Sequence, residues 1–143
     1  PFFNDKFINR LKRVKKINNN FEKLIFLEGM SQVSYYKKLA SHKIILDTIG
    51  WSGGNTSMEA LYLNKPIVTL QGKSLRANHT AAMLKQINLD ILIANNYEEY
   101  IFLANKLIKE EEFFKFIVDR IINNKHLIFD KQISLYEKIK DLL

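Results

Sequence analysis

Residues 52–59, which read SGGNTSME, combine the groups that an anion-binding loop needs. Two adjacent glycines interrupt the chain shortly after an apolar, β-branched run, and hydroxyl and amide side chains follow them. A loop that leads from a buried strand into a helix points backbone N–H groups and the positive end of the helix dipole into one small volume. Phosphate and diphosphate groups bind at such places. The stretch therefore predicts an anion cradle, although a glycine pair can also serve only the backbone angles of a turn.

Glu59, at the end of this stretch, has two interpretations. The spacing from Thr56 to Glu59 matches a capping box, in which the glutamate reaches back to the N–H group of the cap residue. An acidic side chain beside an anion-binding loop can instead accept both vicinal hydroxyls of a ribose, as in dinucleotide-binding folds. Periodicity does not decide between a cap and a ribose ligand.

Three cationic or titratable side chains, Lys73, Arg76 and His79, lie in or shortly after a second loop, QGKS at residues 71–74. Arg76 and His79 are three residues apart, so a helical turn would place them on one face. The planar fork of Arg76 can take a pair of phosphate oxygens, and His79 can bond a phosphate or a sugar hydroxyl. The alternative is an exposed, basic first turn of a helix.

Apolar periodicity predicts that strands and helices alternate along the chain. Strands are predicted at about 23–27, 43–46 and 67–70, with a short strand or buried turn at 91–94. Helices are predicted at about 5–17, 32–40, 75–86, 97–109, 111–123 and 131–142, with one of two turns that ends before Asn64. This alternation favours an α/β fold with a parallel sheet. Ligands of such sheets bind outside the carboxyl ends of the strands, so we expect the loops after Leu46 and Leu70 to face one crevice.

The chain has 143 residues, no cysteine and no apolar run long enough to span a bilayer. Its length suits one domain over residues 1–143. The absence of cysteine excludes disulfides, thiolate metal sites and cysteine nucleophiles, and is compatible with a cytoplasmic location. Because the sequence begins at Pro1 and not at a methionine, we expect it to be a piece of a longer protein.

The formal net charge is +7, from 22 lysines and arginines against 15 acidic residues. Such a balance can serve RNA, DNA, an anionic membrane or a nucleotide phosphate. Only the run KRVKK at residues 12–16 is a cluster, and a solvated helix face is its favoured interpretation.

The chain resembles the C-terminal half of GT-B glycosyltransferases of the O-GlcNAc transferase-like family, which in bacteria often follow tetratricopeptide repeats. The resemblance lies in LDT at 46–48, SGGNTSMEAL at 52–61, KPIVTL at 65–70, Gly72, and Arg76 with His79 and Thr80. It implies a Rossmann-like parallel sheet flanked by helices, as the incomplete C-terminal half of a GT-B fold with extra C-terminal helices. Bacterial members carry glycine and glutamate at positions 54 and 59, where the animal enzymes have histidine and aspartate.

What the resemblance implies about function is transfer of a sugar, commonly N-acetylglucosamine, from a UDP donor to a hydroxyl of a polypeptide. No metal and no further cofactor are required. The loop at residues 54–57 would hold the diphosphate and Glu59 the ribose. The predicted nucleotide-sugar-binding residues are Ser52, Gly53, Gly54, Asn55, Thr56, Ser57, Glu59, Arg76 and His79.

The resemblance also implies that the acceptor side and much of the acid–base apparatus belong to an N-terminal domain of the same chain. No catalytic residue is therefore assigned, and the piece alone is expected to be inactive. Two alternatives stay open. One is another UDP-sugar enzyme of GT-B type, such as an epimerase or a glucosyltransferase; the other is a basic module that contacts RNA or a membrane.

Overall fold

The computed structural model of the chain describes residues 29–129 and the single positions 9, 13, 25 and 27. The chain divides into two compact units, Pro1–Tyr36 and Lys37–Leu143, and one domain over residues 1–143 stays a prediction. Apart from the four single positions, the predicted helix at 5–17 and strand at 23–27 lie outside the described residues. The predicted helix at 131–142 lies wholly outside them.

The described end of the first unit leads into helix α1 (Gln32–Ala40), whose last four residues belong to the second unit. Ser31 begins the helix, because its Oγ accepts the N–H of Ser34 at 3.3 Å. This is the bond that an N-cap serine makes to the third helical residue. The predicted bounds of this helix are confirmed.

The second unit is built on a parallel sheet in the order β1-β2-β3. The strands are β1 (Ile45–Leu46), β2 (Ile67–Leu70) and β3 (Ile93–Ala94). Ile45 pairs with Ile67 and Thr69 pairs with Ile93, both in parallel register. The predicted α/β fold with a parallel sheet is confirmed, and its loops leave the carboxyl ends of the strands at one edge.

Helices connect and follow these strands. They are α2 (Asn55–Tyr62), α3 (His79–Gln86), α4 (Tyr97–Lys109), α5 (Glu111–Asn124) and α6 (His126–Phe129). Asn96 caps α4, since its side chain accepts the N–H of Glu99 at 2.8 Å. Asn64 ends the turn after α2 in the left-handed region, at φ +57°. Asparagine tolerates this conformation better than most residues, and no helix continues through it. The short α6 was not predicted.

The core of the second unit lies between the sheet and helices α2 to α5. The central strand β2 is buried over its first three residues. Its apolar side chains share one cluster with those of the four helices. The largest fully buried apolar side chains are Leu61, Ile67, Val68, Leu84, Ile87, Leu89, Leu92, Leu107, Ile117 and Ile121. Burial of this surface stabilises the edge at which the two loops leave the sheet.

The predicted helix at 75–86 is wrong in its first turn. Residues Leu75–Ala77 form a separate 3-10 turn, and α3 begins only at His79. The cause is Asn78, whose Oδ1 accepts the N–H of Gly72 at 2.9 Å while its Nδ2 donates to the carbonyls of Gly72 and Ser74. These bonds fold the loop back on itself, since a short amide side chain competes with helical hydrogen bonding.

No helix within the described ranges is long and apolar enough to cross a bilayer.

Candidate functional site

The loop after β1 and the loop after β2 lie against each other, as expected for one crevice. The N–H of Ser52, in the first loop, donates to the carbonyl of Arg76, in the second, at 3.0 Å. The guanidinium carbon of Arg76 lies 4.7 Å from the centre of the Trp51 ring. A cation over an indole face is attracted by the ring quadrupole. The two loops are therefore in contact through a backbone hydrogen bond and through a cation–π contact between side chains.

Several backbone N–H groups of the glycine loop are already bonded within the protein. Gly53 donates to Oδ1 of Asp47 at 2.7 Å. The N–H groups of Ser57 and Met58 both donate to the carbonyl of Gly54, at 3.1 and 3.2 Å. These donors close the loop and the first turn of α2, and they do not point toward a ligand.

Three N–H groups remain for a ligand, those of Gly54, Asn55 and Thr56. Within the described part of the chain, none of the three has a hydrogen-bond acceptor. They lie at the N-terminus of α2, where the helix dipole is positive, and the side chains of Asn55 and Thr56 are exposed. This arrangement can bind an anion such as a phosphate.

The hydroxyls of Ser52 and Ser57, two of the predicted binding residues, are buried instead of facing this opening. Ser52 Oγ lies 2.8 Å and Ser57 Oγ 2.7 Å from Oγ1 of Thr80, on α3. Thr80 is itself fully buried. These hydroxyls thus fix the glycine loop and the start of α2 to α3 through buried hydrogen bonds.

The capping-box interpretation of Glu59 is wrong. Helix α2 begins at Asn55 with Gly54 as its cap residue, which makes no side-chain cap bond. Thr56 therefore lies inside the helix and is not its cap. Glu59 is half-buried in the middle of α2. Its role as a ribose ligand stays a prediction.

Arg76 and His79 belong to different segments, because Asn78 interrupts the helix between them. The argument from helical spacing consequently fails. Both side chains are exposed, as is Lys73, and Arg76 lies against Trp51 beside the glycine loop. His79 opens α3 next to the buried Thr80.

Sequence reasoning missed a buried polar cluster centred on Asp47, directly after β1. Its Oδ1 accepts the N–H groups of Thr48 and Gly53, and its Oδ2 accepts the hydroxyls of Ser52 and Thr69, each at 2.7 to 3.0 Å. Asp47 is 7% exposed. The signal available in the sequence was an acidic residue between a buried strand and a glycine loop.

Tyr100, on α4, closes the cluster on another side. Its hydroxyl donates to the backbone carbonyl of Asp47 at 2.8 Å. Burial, and to a smaller extent the negative charge of Asp47, raises the pKa of Tyr100 to about 12. Burial and the neighbouring charge of Asp47 therefore favour the neutral phenol of Tyr100.

We expect stability to fall in alkali through Tyr100. The unfolded chain releases the phenolic proton near pH 10, whereas the folded chain holds it to about pH 12. The stabilisation is therefore complete below pH 10 and is lost as the pH rises toward 12. Tyr100→Phe should be less stable at neutral pH by about 1 kcal/mol, the worth of one hydrogen bond.

Urea unfolding of both proteins at several pH values tests this expectation. The advantage of the wild type over Tyr100→Phe should shrink by about 1 kcal/mol between pH 9 and 11. Other groups titrate equally in both proteins and cancel in the difference. A difference that does not change with pH would contradict the assignment.

Comparison with known proteins identifies a family profile that matches nearly the whole chain and relatives that match part of it. The sequence profile of glycosyl transferase family 41 matches residues 4–136. The chain is 39% identical over 64 residues to a probable UDP-N-acetylglucosamine–peptide N-acetylglucosaminyltransferase, SPINDLY, of Petunia hybrida, and 38% identical over 64 residues to SPINDLY of Solanum lycopersicum. Each match covers 45% of this chain and 7% of the relative.

A solved structure has a similar fold. A mutant of the O-GlcNAc transferase of Thermobaculum terrenum superposes with a TM-score of 0.82 over 97% of this chain, at 25% sequence identity. The matched part makes up 27% of that chain. The sequence at hand thus spans a small part of the length of these relatives.

Proposed function

Because the chain belongs to glycosyl transferase family 41, we propose that it is the donor-binding part of a glycosyltransferase. The proposed reaction transfers N-acetylglucosamine from UDP to a hydroxyl group of a polypeptide. The SPINDLY relatives, which are probable UDP-N-acetylglucosamine–peptide N-acetylglucosaminyltransferases, support this pair of substrates. The superposed O-GlcNAc transferase of Thermobaculum terrenum supports the same sugar.

The observation that carries the proposal is the set of three N–H groups at the start of α2. Gly54, Asn55 and Thr56 present donors without an acceptor among the described residues, at the positive end of a helix. A diphosphate supplies several anionic oxygens that such donors can bond. In this proposal Ser52, Gly53 and Ser57 support the loop. Gly54, Asn55 and Thr56 contact the donor.

Charged side chains complete the proposed site. Arg76 lies beside the loop on Trp51 and can exchange this contact for a diphosphate oxygen pair, because its planar fork fits two oxygens. Glu59, on α2, takes the ribose hydroxyls. His79 opens α3 at the same edge of the sheet and can bond a phosphate or a sugar hydroxyl.

The proposed sugar transfer develops negative charge on the UDP leaving group. The bond between the anomeric carbon and the diphosphate oxygen breaks, and the acceptor oxygen forms the new bond to that carbon. Negative charge accumulates on the departing UDP, where the N–H donors of the loop, together with the Arg76 guanidinium once it has moved from Trp51, stabilise it. The acceptor proton leaves to a base that we do not assign to any residue of this chain. We propose that the chain alone binds UDP and transfers no sugar, acts in the cytoplasm and uses no resident metal.

Titration of isotopically labelled chain with UDP tests the proposal. We expect the amide resonances of Gly54, Asn55 and Thr56 to shift most. The Gly53 amide should shift less, since it stays bonded to Asp47. ADP serves as the control for base preference, and a short RNA as the control for the basic surface. Saturation by RNA without a response to UDP would overturn the proposal.

A further inference from the structure

Asp47 is a buried carboxylate whose charge is met by hydrogen bonds. Its two oxygens accept four of them, from two backbone N–H groups and two hydroxyls. Within the described ranges the ion pair is that of Lys43 with Glu111, and Asp47 has no cationic partner there. A carboxylate with this many donors is held firmly in one position.

The Asp47 carboxylate determines which N–H groups of the glycine loop have no acceptor within the described part of the protein. By taking the N–H of Gly53 at 2.7 Å, Asp47 turns that peptide inward. The next three N–H groups are then the ones that have no acceptor among the described residues. The position of the Gly53 peptide therefore sets where the anion-binding donors begin.

A chain of hydrogen bonds connects Asp47 to the first turn of α2 as well. It runs from Asp47 to the hydroxyl of Ser52, which accepts the N–H of Thr80 at 2.9 Å, and from the hydroxyl of Thr80 to that of Ser57. Each of these side chains is buried. Thr80 also donates its hydroxyl toward the carbonyl of Gly53, at 3.3 Å. Both ends of the segment that carries the free donors are thus fixed.

We propose that Asp47 is a positioning residue of the donor site, which holds the loop in its diphosphate-binding form before the donor arrives. The inference rests on the proposed function. The negative charge of Asp47 would by itself repel a diphosphate. Its favourable effect is therefore geometric, because preorganised donors bind without the entropy cost of ordering a loop.

Asp47→Asn provides the test, with affinities for UDP and for uridine measured by titration of the labelled chain. Asparagine keeps the shape and one oxygen but supplies an NH₂ group where Oδ2 accepts two hydroxyls. The ratio of UDP to uridine affinity should fall about tenfold, while the affinity for uridine changes less than about twofold. A merely structural role would not change this ratio.

A second pair of variants removes a hydrogen bond to the Asp47 carboxylate without changing Asp47 itself. Thr69 donates its hydroxyl to Oδ2 from the neighbouring strand. Thr69→Val should lower the ratio about threefold, because one of the four donors is lost, and Thr69→Ser should restore it. This pair decides the question if Asp47→Asn does not fold. Ile121→Val, a truncation of a fully buried side chain on α5, is the matched control, and it should leave the ratio unchanged.

The outcomes separate the two proposals. If the wild-type chain binds neither compound, the proposed function is overturned and this inference falls with it. If the wild type binds UDP and Asp47→Asn keeps the same ratio, only the positioning role is overturned. A ratio that rises would overturn it as well, since charge repulsion would then outweigh geometry.

Discussion

Gly53→Ala is expected to lower the free energy of unfolding by about 2 kcal/mol and to weaken UDP binding. A Cβ at this position would lie 2.5 Å from Oγ of Ser57 and 2.7 Å from Oγ1 of Thr56. Ser57 cannot turn away without losing its bond to Thr80. Relief of the Ser57 contact therefore requires a shift of the first turn of α2, which carries the free N–H groups of the proposed diphosphate site. Urea unfolding and UDP titration measure the two effects.

The adjacent glycine is the matched control for stability. A Cβ on Gly54 would meet nothing within 4 Å. Gly54→Ala should therefore cost about 0.5 kcal/mol, the difference between glycine and alanine at a helix cap. Equal losses of stability in the two variants would contradict the packing that we describe around Gly53.

Glu59→Ala is expected to raise the dissociation constant of UDP about 10- to 100-fold, the worth of charge-assisted hydrogen bonds to two hydroxyls. It should also remove the preference for UDP over 2′-deoxy-UDP, because the carboxylate is the proposed ligand of the ribose hydroxyls. Titration of wild type and variant with both nucleotides measures this preference, and urea unfolding verifies that the variant is folded.

Glu112→Ala is the control for loss of a negative charge. Glu112 is exposed in the first turn of α5. Its neighbour Glu111 pairs with Lys43, which precedes β1, so this turn lies at the edge of the sheet opposite the glycine loop. UDP binding should not change in this variant. If Glu59→Ala retained the preference for UDP over its deoxy form, Glu59 would not be the ribose ligand.

Periodicity was sufficient to predict the elements with long, regular patterns. The bounds of β2 and α4 agree with the prediction, because an isolated β-branched run and a 13-residue amphipathic pattern have few competing interpretations. The break before α3 was not predictable from periodicity. It depends on an amide side chain, that of Asn78, whose partners lie up to six residues away.

The sequence predicted that the loops after Leu46 and Leu70 meet, but not how the roles divide among their residues. That an anion binds at the glycine loop stays a prediction. Whether Ser52 and Ser57 face a ligand or the interior depends on Thr80, which is 28 and 23 residues away. The same holds for Asp47, whose partner Thr69 lies 22 residues further along the chain. Only the folded arrangement of three segments reveals these contacts.

The position of Trp51 has a consequence for spectroscopy. It is the one tryptophan of the sequence, it lies beside the glycine loop, and the residue is 63% exposed. Its fluorescence therefore reports the loop and its contact with Arg76, not the hydrophobic core. The loop is also fixed by bonds between residues distant in sequence, which form only after the strands have assembled. In refolding, the emission of Trp51 would mark completion of the loop, and circular dichroism would follow the helices separately.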